Sequence, residues 1–164
     1  MAIPSFLAEL RSHVGTSPLW LSGVAAVVLD EQGRLLLGRR VDTGRWAMIG
    51  GILDPGEEPA DCAVRECFEE TGVLVEPEEL TSVTVSPMLE YPNGDQARYL
   101  DLTFRCRLVS GEARVNDDES LEVGWFALDE LPELDDYTRD RLALALSTER
   151  GTAFNFSGLP SGLV

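Results

Sequence analysis

The chain has 164 residues, of which 44% are hydrophobic and 26% are charged, and these fractions exclude a disordered or fibrous protein. One domain of this length can bury roughly 70% of the surface that its unfolded chain exposes. The formal net charge of −16 excludes a nucleic-acid polymer as a partner, because phosphate binding needs a basic surface, and no apolar run approaches the roughly 20 residues that span a bilayer.

The first third of the chain predicts one helix followed by short strands. Apolar residues at helical spacing predict a helix over Ile3–Val14, within an N-terminal helical extension of residues 1–18. Strands are then predicted at Trp20–Leu29, Arg34–Arg39 and Arg45–Ile49, the first two as an antiparallel hairpin. The third strand ends at Gly50-Gly51, where the backbone can approach a ligand closely.

The remainder predicts two further helices around more strands. One helix begins near Pro59, a residue favoured in the first helical turn, and ends by Gly72. It is followed by predicted strands at Thr81–Leu89, Ala97–Val109 and Val123–Ala127, and by a helix over Asp135–Ser147. Because strands and helices do not alternate strictly, we expect an α/β fold, specifically an α/β/α sandwich with a mixed central sheet, in a single domain spanning residues 1–164.

Several kinds of chemistry are excluded by the residues that the chain lacks. His13 is the only histidine and lies apart from other candidates, which argues against Ser-His or Cys-His catalysis. Cys62, Cys67 and Cys106 have no C-x-x-C spacing, so we expect reduced, partly buried thiols. Residues 1–10 lack the features of a secretory signal, and we therefore expect a cytoplasmic protein.

Three carboxylates share one face of the helix predicted after Pro59. Glu69 and Glu70 lie three and four residues after Glu66, adjoining an arc of core-facing residues made up of Ala60, Ala63, Val64, Cys67, Phe68 and Thr71. Like charges at these spacings repel, so a bound cation is a natural explanation for them. Oxygen ligands without histidine favour Mg²⁺, with Mn²⁺ as the alternative. The competing interpretation is a solvated helix face on which Arg65 pairs with Glu69.

The surroundings of these glutamates decide between the two interpretations. The segment Gly51-Ile-Leu-Asp-Pro-Gly-Glu57, seven further residues and then Arg65-Glu-Cys-Phe-Glu-Glu-Thr-Gly-Val73 resembles the 23-residue signature of the Nudix hydrolases, with all seven fixed residues present. Seven fixed identities occur by chance on the order of once in a billion windows at about 6% usage per residue. Cys67 departs from the usual pattern by replacing a larger aliphatic residue, and Ile49 stands where proline often precedes the paired glycines.

This resemblance implies specific roles within residues 51–73. Glu66, Glu69, Glu70 and the Gly51 carbonyl would hold the metal, while Glu57 and Arg65 would form an orienting pair within the catalytic set of Glu57, Arg65, Glu66 and Glu69. Either Glu66 or Glu69 would accept a proton from the attacking water, unless a distal glutamate such as Glu119 or Glu122 does so. Arg39, Arg40 and Arg45 are weaker candidates for binding substrate phosphate.

The resemblance also implies a class of reaction. We expect a metal-dependent pyrophosphohydrolase that cleaves a diphosphate bond in a nucleoside diphosphate linked to another moiety, such as an ADP-ribose-like compound, a dinucleotide or a nucleoside triphosphate. The alternative is a catalytically silent Nudix domain that binds a nucleotide as a sensor. A small-molecule nucleotide is the expected partner, with neither nucleic-acid polymer nor membrane, and family resemblance suggests a homodimer. The residues outside the signature do not select one substrate.

Overall fold

The structure is a computed structural model that describes residues 4–158. The helices in this range are α1 (Ser5–Val14), α2 (Pro59–Thr71) and α3 (Asp136–Leu146). The strands are β1 (Leu19–Leu29), β2 (Leu35–Arg40), β3 (Trp46–Ala47), β4 (Leu74–Val85), β5 (Leu89–Glu90), β6 (Gln96–Ser110), β7 (Ser120–Phe126) and β8 (Ala153–Phe154). No helix in this part of the chain is long and apolar enough to cross a membrane.

The strands form one mixed sheet. Its main path runs β3-β2-β1-β6-β4-β8, with β5 paired to β6 and β7 paired to β2. The pairs β1·β6 and β4·β8 are parallel, and the remaining named pairs are antiparallel. The expected mixed central sheet and the first hairpin are therefore confirmed.

Helices cover both faces of this sheet because successive residues of a strand point to opposite sides. Val24, Ala26 and Val28 of β1 join the buried cluster beneath α2, which includes Cys62 and Cys67. The intervening Ala25 and Val27 join a second cluster with Leu142 and Ala145 of α3. Strand β1 is thus buried on both faces, and the predicted α/β/α sandwich is confirmed.

Helix α1 packs on one end of this sandwich. Leu7 lies in a third buried cluster with Leu21 of β1 and with Ala97 and Tyr99 of β6. The Arg11 guanidinium ties the helix end to the loops, donating to the carbonyls of Gly15, Ser17 and Gln96 at 3.0, 2.6 and 2.8 Å. The predicted start of the helix at Ile3 lies outside the described residues.

Two strand predictions need correction, and one strand was not predicted. The strand predicted at Thr81–Leu89 is β4 over Leu74–Val85, and Leu89 belongs to the separate β5. Strand β4 begins earlier than predicted because Glu76 and Glu79 pair with Arg107 and Arg105 across the sheet and a register shift accommodates Pro77. The strand predicted at Arg45–Ile49 is reduced to two residues, followed by single bridges of Ile49 to Ala26 and of Ile52 to Gly23. Strand β8 was not predicted, since two residues carry no detectable alternation.

The predicted core face of α2 is partly wrong. Phe68 of α2 is 48% exposed, and the buried stripe consists instead of Cys62, Ala63, Cys67 and Thr71. In α3, the buried residues are Thr138, Leu142 and Ala145, whereas Leu144 is exposed. All three cysteines are free and buried, as expected.

Candidate active site

Helix α2 starts and stops where its sequence requires. Pro59 occupies the first turn, where a missing N–H costs no helical hydrogen bond. Gly72 takes a left-handed conformation at φ 72° and donates its N–H to the Phe68 carbonyl at 2.9 Å. The helix therefore presents Glu66, Glu69 and Glu70 in its last two turns, beside the segment that follows β3.

The paired glycines bring backbone against two of these carboxylates. Gly50 N–H donates to Glu70 Oε1 at 3.2 Å, and the Gly51 carbonyl accepts from Val24 N–H at 2.9 Å. A methyl group on Gly50 would overlap the Val24 carbonyl, and one on Gly51 would overlap the Glu66 carboxylate. Position 50 consequently needs glycine because backbone leaves no space for a side chain, whereas a side chain at position 51 would displace the Glu66 carboxylate.

Arg65 connects the start of the signature to its glutamates. Its Nε and Nη2 donate to the two carboxylate oxygens of Glu57 at 2.7 and 2.9 Å, a bidentate pair. Its Nη1 donates to Glu66 Oε1 at 2.8 Å and to Glu69 Oε2 at 3.0 Å. The pairing of Arg65 with Glu69, raised as the competing interpretation, thus occurs together with the Glu57 pair.

The carboxylates of the site differ in their affinity for protons. The Arg65 guanidinium lowers the pKa of Glu57 to about 2. Burial raises the pKa of Glu66 to about 7 against the opposing effect of Arg65, and burial together with the nearby charge of Glu66 raises that of Glu70 to about 8. The surroundings of Glu66 and Glu70 thus supply too little positive charge to offset the cost of burying these two carboxylates in the ionised form.

The donor atoms suit a hard divalent cation. Glu66, Glu69, Glu70 and the Gly51 carbonyl offer oxygen alone, as Mg²⁺ and Mn²⁺ prefer, and added positive charge would offset the burial of two carboxylates. Across residues 4–158, however, no three acidic, histidine or cysteine side chains are arranged to hold a metal ion. Hydrogen bonds explain this arrangement, because Arg65 Nη1 donates to Glu66 and Glu69 whereas Glu70 accepts from the Gly50 N–H.

A cleft of about 700 Å³ opens beside these residues. Glu66 and Glu69 line it, together with Arg40, Arg45 and Glu119. Arg40 is held by a bidentate pair with Asp42 at 2.9 and 2.7 Å. Burial and the neighbouring Asp117 carboxylate raise the pKa of Glu119.

Two of the predicted candidates lie away from the cleft lining. Arg39 donates to Glu122 Oε1 at 2.7 Å and to the Gly44 carbonyl at 3.0 Å. Neither Arg39 nor Glu122 is among the described residues that line the cleft. Of the two distal glutamates, the structure places only Glu119 beside the carboxylates of α2.

Sequence reasoning missed two groups around the cleft. Asn116 donates its side-chain amide to the carbonyls of Phe68 and Glu69 at 3.0 and 3.2 Å, which satisfies backbone acceptors at the end of α2. At the other end of the cleft, Tyr137 donates its hydroxyl to Asp101 Oδ2 at 2.6 Å. An asparagine in an acidic loop and a buried aspartate 28 residues beyond the signature carry no recognisable motif.

Known proteins resemble this chain over most of its length. A family model described as the NUDIX domain matches residues 20–146. A MutT-like protein of Streptomyces ambofaciens is 41% identical over 116 residues, covering 71% of this chain and 70% of that protein. The mouse protein named nucleoside diphosphate-linked moiety X motif 6 is 33% identical over 74% of this chain, which spans only 44% of that longer protein.

The fold is shared with solved structures as well. An ADP-ribose pyrophosphatase from Streptococcus suis superposes with a TM-score of 0.65 at 27% identity, covering 82% of this chain and 98% of that one. Two features define the class of protein. One is the mixed sheet between helices, and the other is the set of glutamates on α2 beside the paired glycines. The chain belongs to the NUDIX family of pyrophosphohydrolases.

Proposed function

We propose that the protein is a Mg²⁺-dependent pyrophosphohydrolase, with Mn²⁺ as an alternative ion, that cleaves a diphosphate bond in a nucleoside diphosphate linked to another moiety. The proposal is supported most directly by the placement of Glu66, Glu69 and Glu70 on one face of α2, with Glu66 against Gly51, Glu70 against Gly50, and Glu66 and Glu69 lining the cleft. The names of the mouse relative and of the Streptococcus suis structure support this class of small-molecule nucleotide substrate.

The proposed metal ligands are Glu66, Glu69, Glu70 and the Gly51 carbonyl. When bound there, the metal would neutralise phosphate charge and make a coordinated water more acidic. For these carboxylates to turn toward a common cation, Arg65 Nη1 has to release Glu66 and Glu69. Its Nε and Nη2 can keep the bidentate pair with Glu57 throughout, so this pair orients the guanidinium without using the metal ligands.

Two carboxylates of the cleft can accept the proton of the attacking water. Glu69 is exposed and lies on α2, and Glu119 is partly buried on the loop before β7. We assign this role to Glu119, because Glu69 belongs to the ligand set and within residues 4–158 no arginine forms an ion pair with Glu119. Glu119→Gln should then lower kcat while leaving metal affinity within twofold of wild type.

The substrate phosphates need positive charge in an acidic cleft. Arg45 lines the cleft, and Arg40 does so while holding Asp42. We assign phosphate binding first to Arg45, and to Arg40 once Asp42 releases it, both before Arg39, whose guanidinium is engaged by Glu122 and Gly44.

The experiment is a substrate panel. Wild type, Glu69→Gln and the matched control Glu58→Gln, an exposed carboxylate preceding the same helix, would be incubated with ADP-ribose, NADH, dinucleoside polyphosphates, nucleotide sugars and nucleoside triphosphates in Mg²⁺ or Mn²⁺. We expect metal-dependent cleavage of one class by wild type and Glu58→Gln, and none by Glu69→Gln. Metal-dependent nucleotide binding without any cleavage would instead support the sensor.

The proposal extends to the domain organisation, the oligomeric state and the location of the protein. We propose a single domain over residues 1–164, with residues 1–18 as an N-terminal extension, in a cytoplasmic homodimer that binds neither nucleic-acid polymer nor membrane. Limited proteolysis, light scattering and cell fractionation would test the domain, the dimer and the location respectively.

A further inference from the structure

Arg141 of α3 is a largely buried arginine of the cleft and lies outside the signature. Its side chain is only 12% exposed and lines the cleft. Its Nε is fully buried and has no hydrogen-bond partner within residues 4–158. The rest of the guanidinium makes no hydrogen bond within residues 4–158 either, so the donors that reach the cleft favour a ligand that accepts hydrogen bonds.

The neighbours of Arg141 fix its guanidinium without satisfying it. The guanidinium lies over the Tyr137 ring at 4.3 Å, a cation–π contact. The closest carboxylate oxygen is Asp101 Oδ2, which lies 3.7 Å from Nη1, beyond hydrogen-bond length, and already accepts from the Tyr137 hydroxyl. Charge and stacking therefore orient Arg141 while leaving its donors for another partner.

The other well-placed arginines of the cleft are differently engaged. Arg65 donates to three carboxylates, and Arg40 is paired with Asp42 through two hydrogen bonds. Binding a phosphate through either would require breaking hydrogen-bonded ion pairs, whereas Arg141 has only the longer, 3.7 Å contact with Asp101. The guanidinium of Arg141 is thus better prepared for an anion than those of Arg40 and Arg65.

The position of Asp101 relates this group to the signature. A methyl group built on Gly23 would lie 2.8 Å from Asp101 Oδ1 and 3.4 Å from the Gly51 carbonyl oxygen, so these two oxygens are at most about 6 Å apart. Asp101, with Arg141 3.7 Å away from it, therefore lies near the Gly51 carbonyl in the same cleft. A nucleoside diphosphate linked to another moiety is long enough to reach both.

We propose that Arg141 is a substrate-binding residue whose guanidinium donates hydrogen bonds to a phosphoryl oxygen of the diphosphate. This inference rests on the proposed function, because it names a contact of the same site. It assigns one end of the diphosphate to α2 and the other to α3, and it places a phosphate contact 68 residues beyond the signature.

Binding of methylenediphosphonate, the diphosphate core with a carbon bridge that resists hydrolysis, tests this contact. Calorimetric titration in Mg²⁺ would compare wild type with Arg141→Gln, Arg141→Lys and the control Arg139→Gln, an exposed arginine of the same helix. We expect Kd to rise at least tenfold for Arg141→Gln and at least threefold for Arg141→Lys, which keeps the charge but loses the planar fork. Arg139→Gln should remain within twofold of wild type.

Either of two results would overturn the inference: no binding of the probe by wild type, or wild-type affinity in a folded Arg141 variant. If Arg141→Gln does not fold, as judged by circular dichroism, Arg141→Lys decides by itself. The substrate panel separates this inference from the proposed function. Arg141-dependent binding without any metal-dependent cleavage would overturn the function alone, and cleavage with Arg141-independent binding would overturn the inference alone.

Discussion

The carboxylate of Glu66 lies directly against the Cα of Gly51. A methyl group at position 51 would come closer than 3.0 Å to all three atoms of that carboxylate. The glycine thus sets the position of a proposed metal ligand on another element, through the space that its missing side chain leaves.

Gly51→Ala should displace the Glu66 carboxylate from this position. Because a misplacement of about 1 Å at a catalytic group can lower turnover about 100-fold, we expect kcat to fall by that order. Steady-state kinetics on the active substrate class would measure it. Gly124→Ala is the control, since its methyl would meet only the Phe126 ring, at 3.3 and 3.5 Å. Equal activity of the two variants would contradict the role of Gly51.

The Glu57–Arg65 pair predicts a pH-dependent contribution to stability. The pKa of Glu57 is lowered from 4.5 to about 2, so its contribution is fully present above about pH 4.5 and is lost as the pH falls toward 2. The side chain is 16% exposed, and we expect Glu57→Gln to lower the free energy of unfolding by about 2 kcal/mol at pH 7.

Urea unfolding in EDTA at pH 7 and pH 3 would measure this contribution. The difference between wild type and Glu57→Gln should shrink to less than half at pH 3. Glu58→Gln, which removes the next and exposed carboxylate, should differ little from wild type at either pH. A Glu57→Gln effect of constant size would show that the ion pair is not its cause.

Features of the fold could be predicted from the sequence where the residues that define them lie close together in the chain. The hairpin and α2 were predictable because local periodicity defines them together with two glycines at positive φ, Gly33 between β1 and β2 and Gly72 at the end of α2. The signature identified the glutamates. The start of β4 was missed because its acidic residues are stabilised by arginines of a strand about 30 residues later. Arg141 and Asp101 come together only through the packing of α3 on the sheet, which no local pattern records.

Asn116 illustrates a further residue that only the folded chain reveals. Its side chain donates to two carbonyls at the end of α2, so Asn116→Ala should lower the free energy of unfolding by about 1 kcal/mol. Chemical denaturation would measure the loss. Asn93→Ala, in a loop where the side chain contacts only Asp95, should cost less. Unchanged stability in Asn116→Ala would mean that Asn116 does not stabilise the helix end.

The Glu70 carboxylate should lower stability in the absence of metal and should be needed for the stability gained when metal binds. Because a partly buried carboxylate with a pKa raised to about 8 is costly when ionised, Glu70→Gln should be at least as stable as wild type in EDTA. Saturating Mg²⁺ at about 100 times Kd should stabilise wild type by about 2.7 kcal/mol and the variant by much less. Thermal unfolding with and without Mg²⁺ would show this. An equal gain in both proteins would remove Glu70 from the ligand set.

The metal site on α2 is tested most directly by Mn²⁺ binding followed by electron paramagnetic resonance, with wild type, Glu66→Gln, Glu69→Gln and the control Glu58→Gln. We expect wild type and Glu58→Gln to bind Mn²⁺ in competition with Mg²⁺, and the two variants of α2 to bind it at least tenfold more weakly. Wild-type affinity in both Glu66→Gln and Glu69→Gln would contradict a metal site on this helix.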